Sequence, residues 1–362
     1  MKIATIVGAR PQFIKAAPVS KALLAAGHQE YLIHTGQHYD QGMSQVFFDE
    51  LGLPEPDVNL GVGSGMHGWQ TGQMLMRIEE TLIKEKPERV LVYGDTNSTL
   101  AGALAAVKLQ IPLAHVEAGL RSFNREMPEE HNRVLTDHCA DLLFCPTQTA
   151  VENLRYEGIT QGACWVGDTM YDAVLQFAEM ARQRSTILKG LELEPKQFLL
   201  ATIHRPYNTD NPEILDGILR AFREHDETII FPVHPRTRAC IEKYDLLDPH
   251  NDLSQPISEN NKLKLIGPVG YLDMLMLEQN ARLILTDSGG MQKEAYFFGV
   301  PCLTLRPETE WVETVEAGWN VLVEADPMKI AKTIREHSWP TQTPPALFGD
   351  GDAASKICSY IK

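Results

Sequence analysis

Residues 89–122 read RVLVYGDTNSTLAGALAAVKLQIPLAHVEAGLRS. Two strand-like apolar runs, Arg89–Tyr93 and Ile111–Val116, each end at a lone carboxylate. Asp95 follows the first run and Glu117 the second, with an Ala/Leu-rich helical segment between them. A strand, a helix and a parallel strand place both strand ends on one edge of a sheet. In open α/β sheets that edge is where ligands bind. Two acids side by side there point to proton chemistry rather than packing.

The same alternation runs along the chain. Strand-like runs fall at Lys2–Val7, Glu30–Thr35, Arg89–Tyr93, Leu113–Val116 and Asp141–Cys145. Others fall at Phe198–Ile203, Thr228–Val233, Leu263–Ile266, Arg282–Thr286 and Pro301–Leu305. Amphipathic segments separate most of them, which predicts parallel sheets covered on both faces. The charged run RQRSTILKGLELEPKQ marks a break near 185–197. The expected fold is α/β, with two Rossmann-like domains whose sheets face a central cleft. Residues 1–185 form the first and 186–350 the second, with the amphipathic segment 351–362 docking on one of them.

A chain of 362 residues with a 43% hydrophobic and 22% charged composition suits two globular domains. The net charge of −15 argues against nucleic acid and against an anionic membrane surface. No apolar run is long enough to span a bilayer, and the N-terminus shows no signal-peptide plan. Six cysteines without a CxxC pair read as buried thiols of a reducing, cytoplasmic compartment.

Nearly every strand ends in polar groups. In GARPQFIKAAPV, Arg10 and Lys15 aim cations at a helix start that suits phosphate oxygens, although a plain turn with solvated charges reads as well. In LILTDSGGMQKEA, Ser288, Gly289 and Gly290 bring backbone N–H groups toward a diphosphate, and Glu294 is placed to accept from ribose hydroxyls; a tight turn needing glycine is the alternative. Asp95 and Glu129 are acid candidates with a capping alternative, and Arg133 stands four residues after Glu129. His204 and His234 end neighbouring strands. Metal-ligand spacing such as HxxxH or HExxH does not occur, and neither GxGxxG nor the Walker pattern is present, so no metal and no redox cofactor is expected. Together the groups describe a diphosphate-sugar site.

In chain order, GARPQFIKAAP, HTGQHYD, VYGDTNSTLAGALAA, HVEAGLRS, MPEEHNRVLTDH, HRPYN, PVHPR, LTDSGGMQKEA and RPETEW resemble the non-hydrolysing UDP-N-acetylglucosamine 2-epimerases along essentially the whole chain. The resemblance implies a GT-B fold with the C-terminal helix returning to the first domain. It implies a cytoplasmic homodimer that supplies UDP-N-acetylmannosamine for surface polysaccharides, with a UDP-sugar as its partner and neither nucleic acid nor membrane. It assigns Asp95, Glu117 and Glu129 as sugar-side acids and His204 as a catalytic histidine near the diphosphate. Nucleotide contacts fall at Arg10, Lys15, Ser288, Gly289, Gly290 and Glu294, and His234 joins the substrate-binding set. Trp311, Lys293, Val269, Met274 and His38-Tyr39-Asp40 depart from the commoner members. HTGQHYD with TEWVE also resembles the branch acting on UDP-2,3-diacetamido-2,3-dideoxyglucuronate.

For such a reaction no carbonyl acidifies C2 directly, so UDP leaves C1 as a proton leaves C2, and then re-adds. The leaving diphosphate needs cations and N–H donors; the proton needs an acid/base pair. A GT-B glycosyltransferase shares the same cradle, and a nucleotide-sugar sensor shares the binding without turnover.

Overall fold

A computed structural model describes residues 1–37, 52–246 and 262–361. The chain forms two compact units, residues 1–176 with 346–362, and residues 177–345.

The first unit holds a parallel sheet of β1 (Lys2–Val7), β2 (Gln29–His34), β3 (Val58–Asn59), β4 (Arg89–Tyr93), β5 (Leu113–Val116), β6 (Leu142–Cys145) and β7 (Ala163–Trp165). Their order is β3-β2-β1-β4-β5-β6-β7. Branched residues fill the central strands; Ile3, Ile6, Val90, Val92 and Val116 are all buried. The helix Asn97–Lys108 starts at a reciprocal cap, with the Thr96 N–H donating to Thr99 Oγ1 at 3.1 Å and Thr99 N–H to Thr96 Oγ1 at 3.4 Å. Gly102 lets that helix sit close on the sheet, since a Cβ there would lie 2.8 Å from Ile6 Cδ1 and 3.0 Å from Val92 Cγ1. The C-terminal helix Ala353–Tyr360 belongs to this unit: Asp172 accepts the N–H groups of Ala353 and Ala354 at 3.1 and 2.7 Å.

The second unit repeats the plan with β8 (Phe198–Thr202), β9 (Thr228–Pro232), β10 (Leu263–Ile266), β11 (Leu283–Thr286), β12 (Cys302–Thr304) and β13 (Asn320–Leu322). The order β10-β9-β8-β11-β12-β13 is again parallel throughout. The polar run before β8 is not a bare connector: Ile187, Leu188, Leu191 and Leu193 pack against the core around Phe198 and Ile284. Val269 and Met274 pack against the same core.

Both sheets reverse strand order once, between β1 and β4 and between β8 and β11. In such sheets ligands usually bind at these switch points, outside the carboxyl ends of the strands. Among the described residues no helix is long and apolar enough to cross a membrane. Burial of the thiols is uneven. Cys145 and Cys302 are buried, on strands β6 and β12, while Cys139, Cys164, Cys240 and Cys358 are half-buried, because three of them lie on helices and Cys164 on the edge strand β7.

Candidate active site

At the first switch point the turn after β1 is fixed from within. The Gln12 side-chain oxygen accepts the N–H groups of Gly8 and Ala9 at 2.8 and 3.0 Å. Its amide donates to the Tyr93 carbonyl at 2.8 Å and to Thr99 Oγ1 at 3.0 Å, tying this turn to the end of β4. Gln12 therefore takes two N–H groups that the sequence offered to phosphate. Arg10 opens the helix Arg10–Ala25, and its side chain lies outside the described set, as do His38, Tyr39 and Asp40.

Asp95 and Glu117 follow adjacent strands, β4 and β5. Thr96, not Asp95, caps the helix Asn97–Lys108, so the Asp95 carboxylate is left to pair with Arg133. Glu117 is buried and pairs with Lys15. Its backbone is left-handed, with φ 69°, an uncommon state for a residue with a Cβ and one that clusters at functional sites. Gly94 links the two acids. Its φ of 63° turns the chain sharply, and a Cβ there would lie 3.1 Å from Glu117 Oε2 and 3.5 Å from Lys15 Nζ.

Glu129 sits half-buried in the first turn of the helix Pro128–Cys139. One turn on, Asn132 donates to the Asp95 carbonyl at 2.9 Å. Arg133 reaches both Asp95 and Glu130, the latter at 3.0 Å. The three acids thus stand on parts of one bonded framework, in which Arg133 pairs with Asp95 and Lys15 with Glu117.

The second unit gathers the cations. His204 follows β8 and Asp287 follows β11, so they face each other across the switch point. Asp287 is fully buried and accepts from the backbone of His204 at 3.0 and 3.1 Å, from that of Arg205 at 2.9 Å and from Asn208 Nδ2 at 3.0 Å. His204 Nδ1 lies 3.2 Å from the same carboxylate. Burial pulls the His204 imidazole below its ordinary pKa; Asp287 opposes this, and Arg205, Arg306 and Arg236 add to it. The His234 ring stands 5.6 Å from that of His204, and its Nδ1 accepts the Arg236 N–H at 3.2 Å, capping the helix Pro235–Lys243.

Ser288 caps the helix Gly289–Phe297 by accepting the Met291 N–H at 3.4 Å. That leaves Gly289 and Gly290 as first-turn donors. Glu294 is buried on the same helix and accepts from Tyr271 Oη at 2.9 Å. Trp311 is buried under Lys293, whose Nζ lies 4.0 Å from the ring centroid. Trp311 is therefore a packed residue of the second unit. Among the described residues no cluster of His, Cys, Asp or Glu side chains is set to hold a metal ion.

Sequence reading missed Gln12, Asn132, Tyr271 and Asp287, which bond to site residues from within the fold. Asp287 was visible in the string as the one acid between the strand and the glycines.

Two parallel-sheet α/β domains of the GT-B class, with polar groups at each switch point, define a nucleotide-sugar type of protein. The sequence profile of the family described as UDP-N-acetylglucosamine 2-epimerase matches residues 21–362. A Methanococcus maripaludis UDP-N-acetylglucosamine 2-epimerase homolog is 56% identical, covering 100% of this chain and 99% of that protein. The Pseudomonas aeruginosa UDP-2,3-diacetamido-2,3-dideoxy-D-glucuronate 2-epimerase is 51% identical, with 100% and 99% covered. The crystal structure of Methanocaldococcus jannaschii UDP-GlcNAc 2-epimerase in complex with UDP-GlcNAc and UDP superposes with a TM-score of 0.90 at 46% identity, again covering 100% and 99%. The chain belongs to the UDP-N-acetylglucosamine 2-epimerase family.

Proposed function

We propose that this protein is a non-hydrolysing UDP-N-acetylglucosamine 2-epimerase, interconverting UDP-N-acetylglucosamine and UDP-N-acetylmannosamine. The observation that carries the reading is the pair of carboxylates, Asp95 and Glu117, joined through Gly94 at a ligand-binding switch point. In the forward step a carboxylate takes the C2 proton. The C–H electron pair forms the C1=C2 bond of a glycal, and the C1–O bond breaks with its pair going to the β-phosphate oxygen of UDP. UDP then re-adds at C1 as a proton is delivered to the other face of C2. Asp95, Glu117 and Glu129 supply these proton transfers, each worth about 10²–10⁴-fold. Lys15 pairs with Glu117 and Arg133 with Asp95, so each of these two acids is held by a cation. In the second unit His204, His234, Ser288, Gly289 and Gly290 are the donors for the leaving diphosphate, and Glu294, fixed by Tyr271, takes the ribose; Arg10 and Lys15 are the phosphate-binding candidates of the first unit.

The deciding experiment is proton NMR of UDP-N-acetylglucosamine incubated with the protein in D2O. Epimer with deuterium at C2 is expected; epimer without it overturns the elimination route. The 51% identical P. aeruginosa relative supports a second substrate, the diacetamido-glucuronate. The ratio of kcat/KM for the two sugars chooses between them. We place the enzyme in the cytoplasm, supplying precursors for surface polysaccharides. We also propose a homodimer, supported by a stripe on the helix His67–Glu85 where Trp69, Met76 and Ile83 are 50%, 56% and 56% exposed. Sedimentation of Trp69→Asp tests it: a monomer is expected, and an unchanged dimer removes this face from the interface.

A further inference from the structure

His115 lies in β5, two residues before Glu117, and is fully buried. Its Nε2 is 2.7 Å from the Gly94 carbonyl and its Nδ1 is 2.7 Å from Asp137 Oδ1. A carbonyl can only accept, so Nε2 carries a proton. Asp137 Oδ2 receives Arg121 Nη1 at 2.7 Å, and the Gly119 N–H bridges both carboxylate oxygens at 3.3 and 3.2 Å. Burial pushes the Asp137 carboxyl up, but His115 and Arg121 outweigh it and hold the group below its ordinary range. An ionised Asp137 accepts as well, so Nδ1 also carries a proton.

We propose that His115 is a positioning residue: a buried, doubly protonated imidazole that holds the Gly94 peptide and thereby sets Asp95 and Glu117 in one frame. This rests on the reading of those two acids given above. The charges around it balance. Arg121 also grips Glu157 through Nε and Nη2, both at 2.7 Å, so two cations face two carboxylates. On β6 the Cys145 thiol is pushed up by burial and by Asp137, so it adds no charge. The Gly94 peptide is then clamped twice by β5. Its N–H donates to the Val116 carbonyl at 2.9 Å, and its carbonyl accepts from His115 Nε2–H at 2.7 Å. A neutral imidazole has one N–H and would set a lone pair against either the carbonyl or the carboxylate. The imidazolium carries one N–H on each side of a rigid ring, so it can donate to Gly94 and to Asp137 at once.

The test has two arms on the full-length protein. In 15N-histidine-labelled protein at pH 7.5, His115 is expected to show both ring nitrogens protonated; a single-tautomer pattern overturns the proposal. His115→Gln can donate toward Gly94 but carries no charge. In the folded variant, C2 exchange is expected to fall about 10²-fold in kcat, the scale of a misplaced reacting group, with KM and UDP affinity held within about 2-fold. A kcat close to that of the parent overturns the positioning role. If the variant does not fold, the labelled parent protein decides. If the parent exchanges C2 of neither sugar, the epimerase reading fails while the protonation pattern of His115 still stands or falls alone.

Discussion

His204 and Asp287 are joined twice across the second sheet's switch point, once by the imidazole Nδ1 at 3.2 Å and once by the His204 backbone N–H at 3.0 and 3.1 Å from the carboxylate oxygens. The carboxylate therefore fixes both the loop and the ring. Nδ1 is the ring nitrogen on the Asp287 side, which leaves Nε2 for a ligand. Asp287→Asn puts an amide NH2 where several donors converge. Turnover is expected to fall about 10²-fold, the scale of an acid/base group that loses its alignment. Steady-state kinetics check this; turnover within about 3-fold of the parent would separate Asp287 from the function of His204.

Proton uptake should accompany UDP binding. His204 sits below its ordinary pKa because of burial and of Arg205, Arg306 and Arg236, with Asp287 opposing them. A bound diphosphate offsets those arginines and raises it. Between the two values the complex holds more protons than the free protein, so affinity rises as pH falls through that window. Calorimetry in phosphate and in Tris near pH 6.5 is expected to give different binding enthalpies. Equal enthalpies would place His204 away from the diphosphate.

The acids should separate chemistry from binding. Asp95→Asn, Glu117→Gln and Glu129→Gln are each expected to raise the barrier by about 2.7–5.5 kcal/mol while UDP affinity changes little. Single-turnover rates with calorimetry measure both. Near-normal turnover in all three would reduce these groups to structural ones.

Stability should fall as pH rises from about 4 to 6. Burial lifts the Asp172 carboxyl to about 6 despite its bonds to Ala353 and Ala354. The folded state thus binds this proton more tightly than the unfolded chain. The benefit is full below the unfolded value and is lost as pH passes the folded one, a change of about 3 kcal/mol. Urea unfolding against pH is expected to show this slope, and Asp172→Asn to flatten it. A variant with the parent's slope would exclude Asp172 as its source.

The long, branched strand runs were legible because burial on both faces demands unbroken apolar residues. β3, β7 and β13 were not: Val58–Asn59, Ala163–Trp165 and Asn320–Leu322 are short strands with little apolar run, and they end their sheets. In the site, acids and histidines at strand ends could be read from position alone. Gln12, Asp287 and His115 could not be given roles, since what each does depends on a partner 79 to 87 positions away or on an adjoining strand.

The second unit is one unbroken stretch, whereas the first needs both ends of the chain. On the ribosome this reverses the usual order, in which the earlier-made domain is finished first. Residues 177–345 have every strand and helix they need before the last 17 residues, 346–362, are translated. The unit that carries the acids, though made first, waits for Ala353 and Ala354 to reach Asp172. A chain stalled or terminated within its last 17 residues would therefore release a finished second unit attached to an incomplete first one.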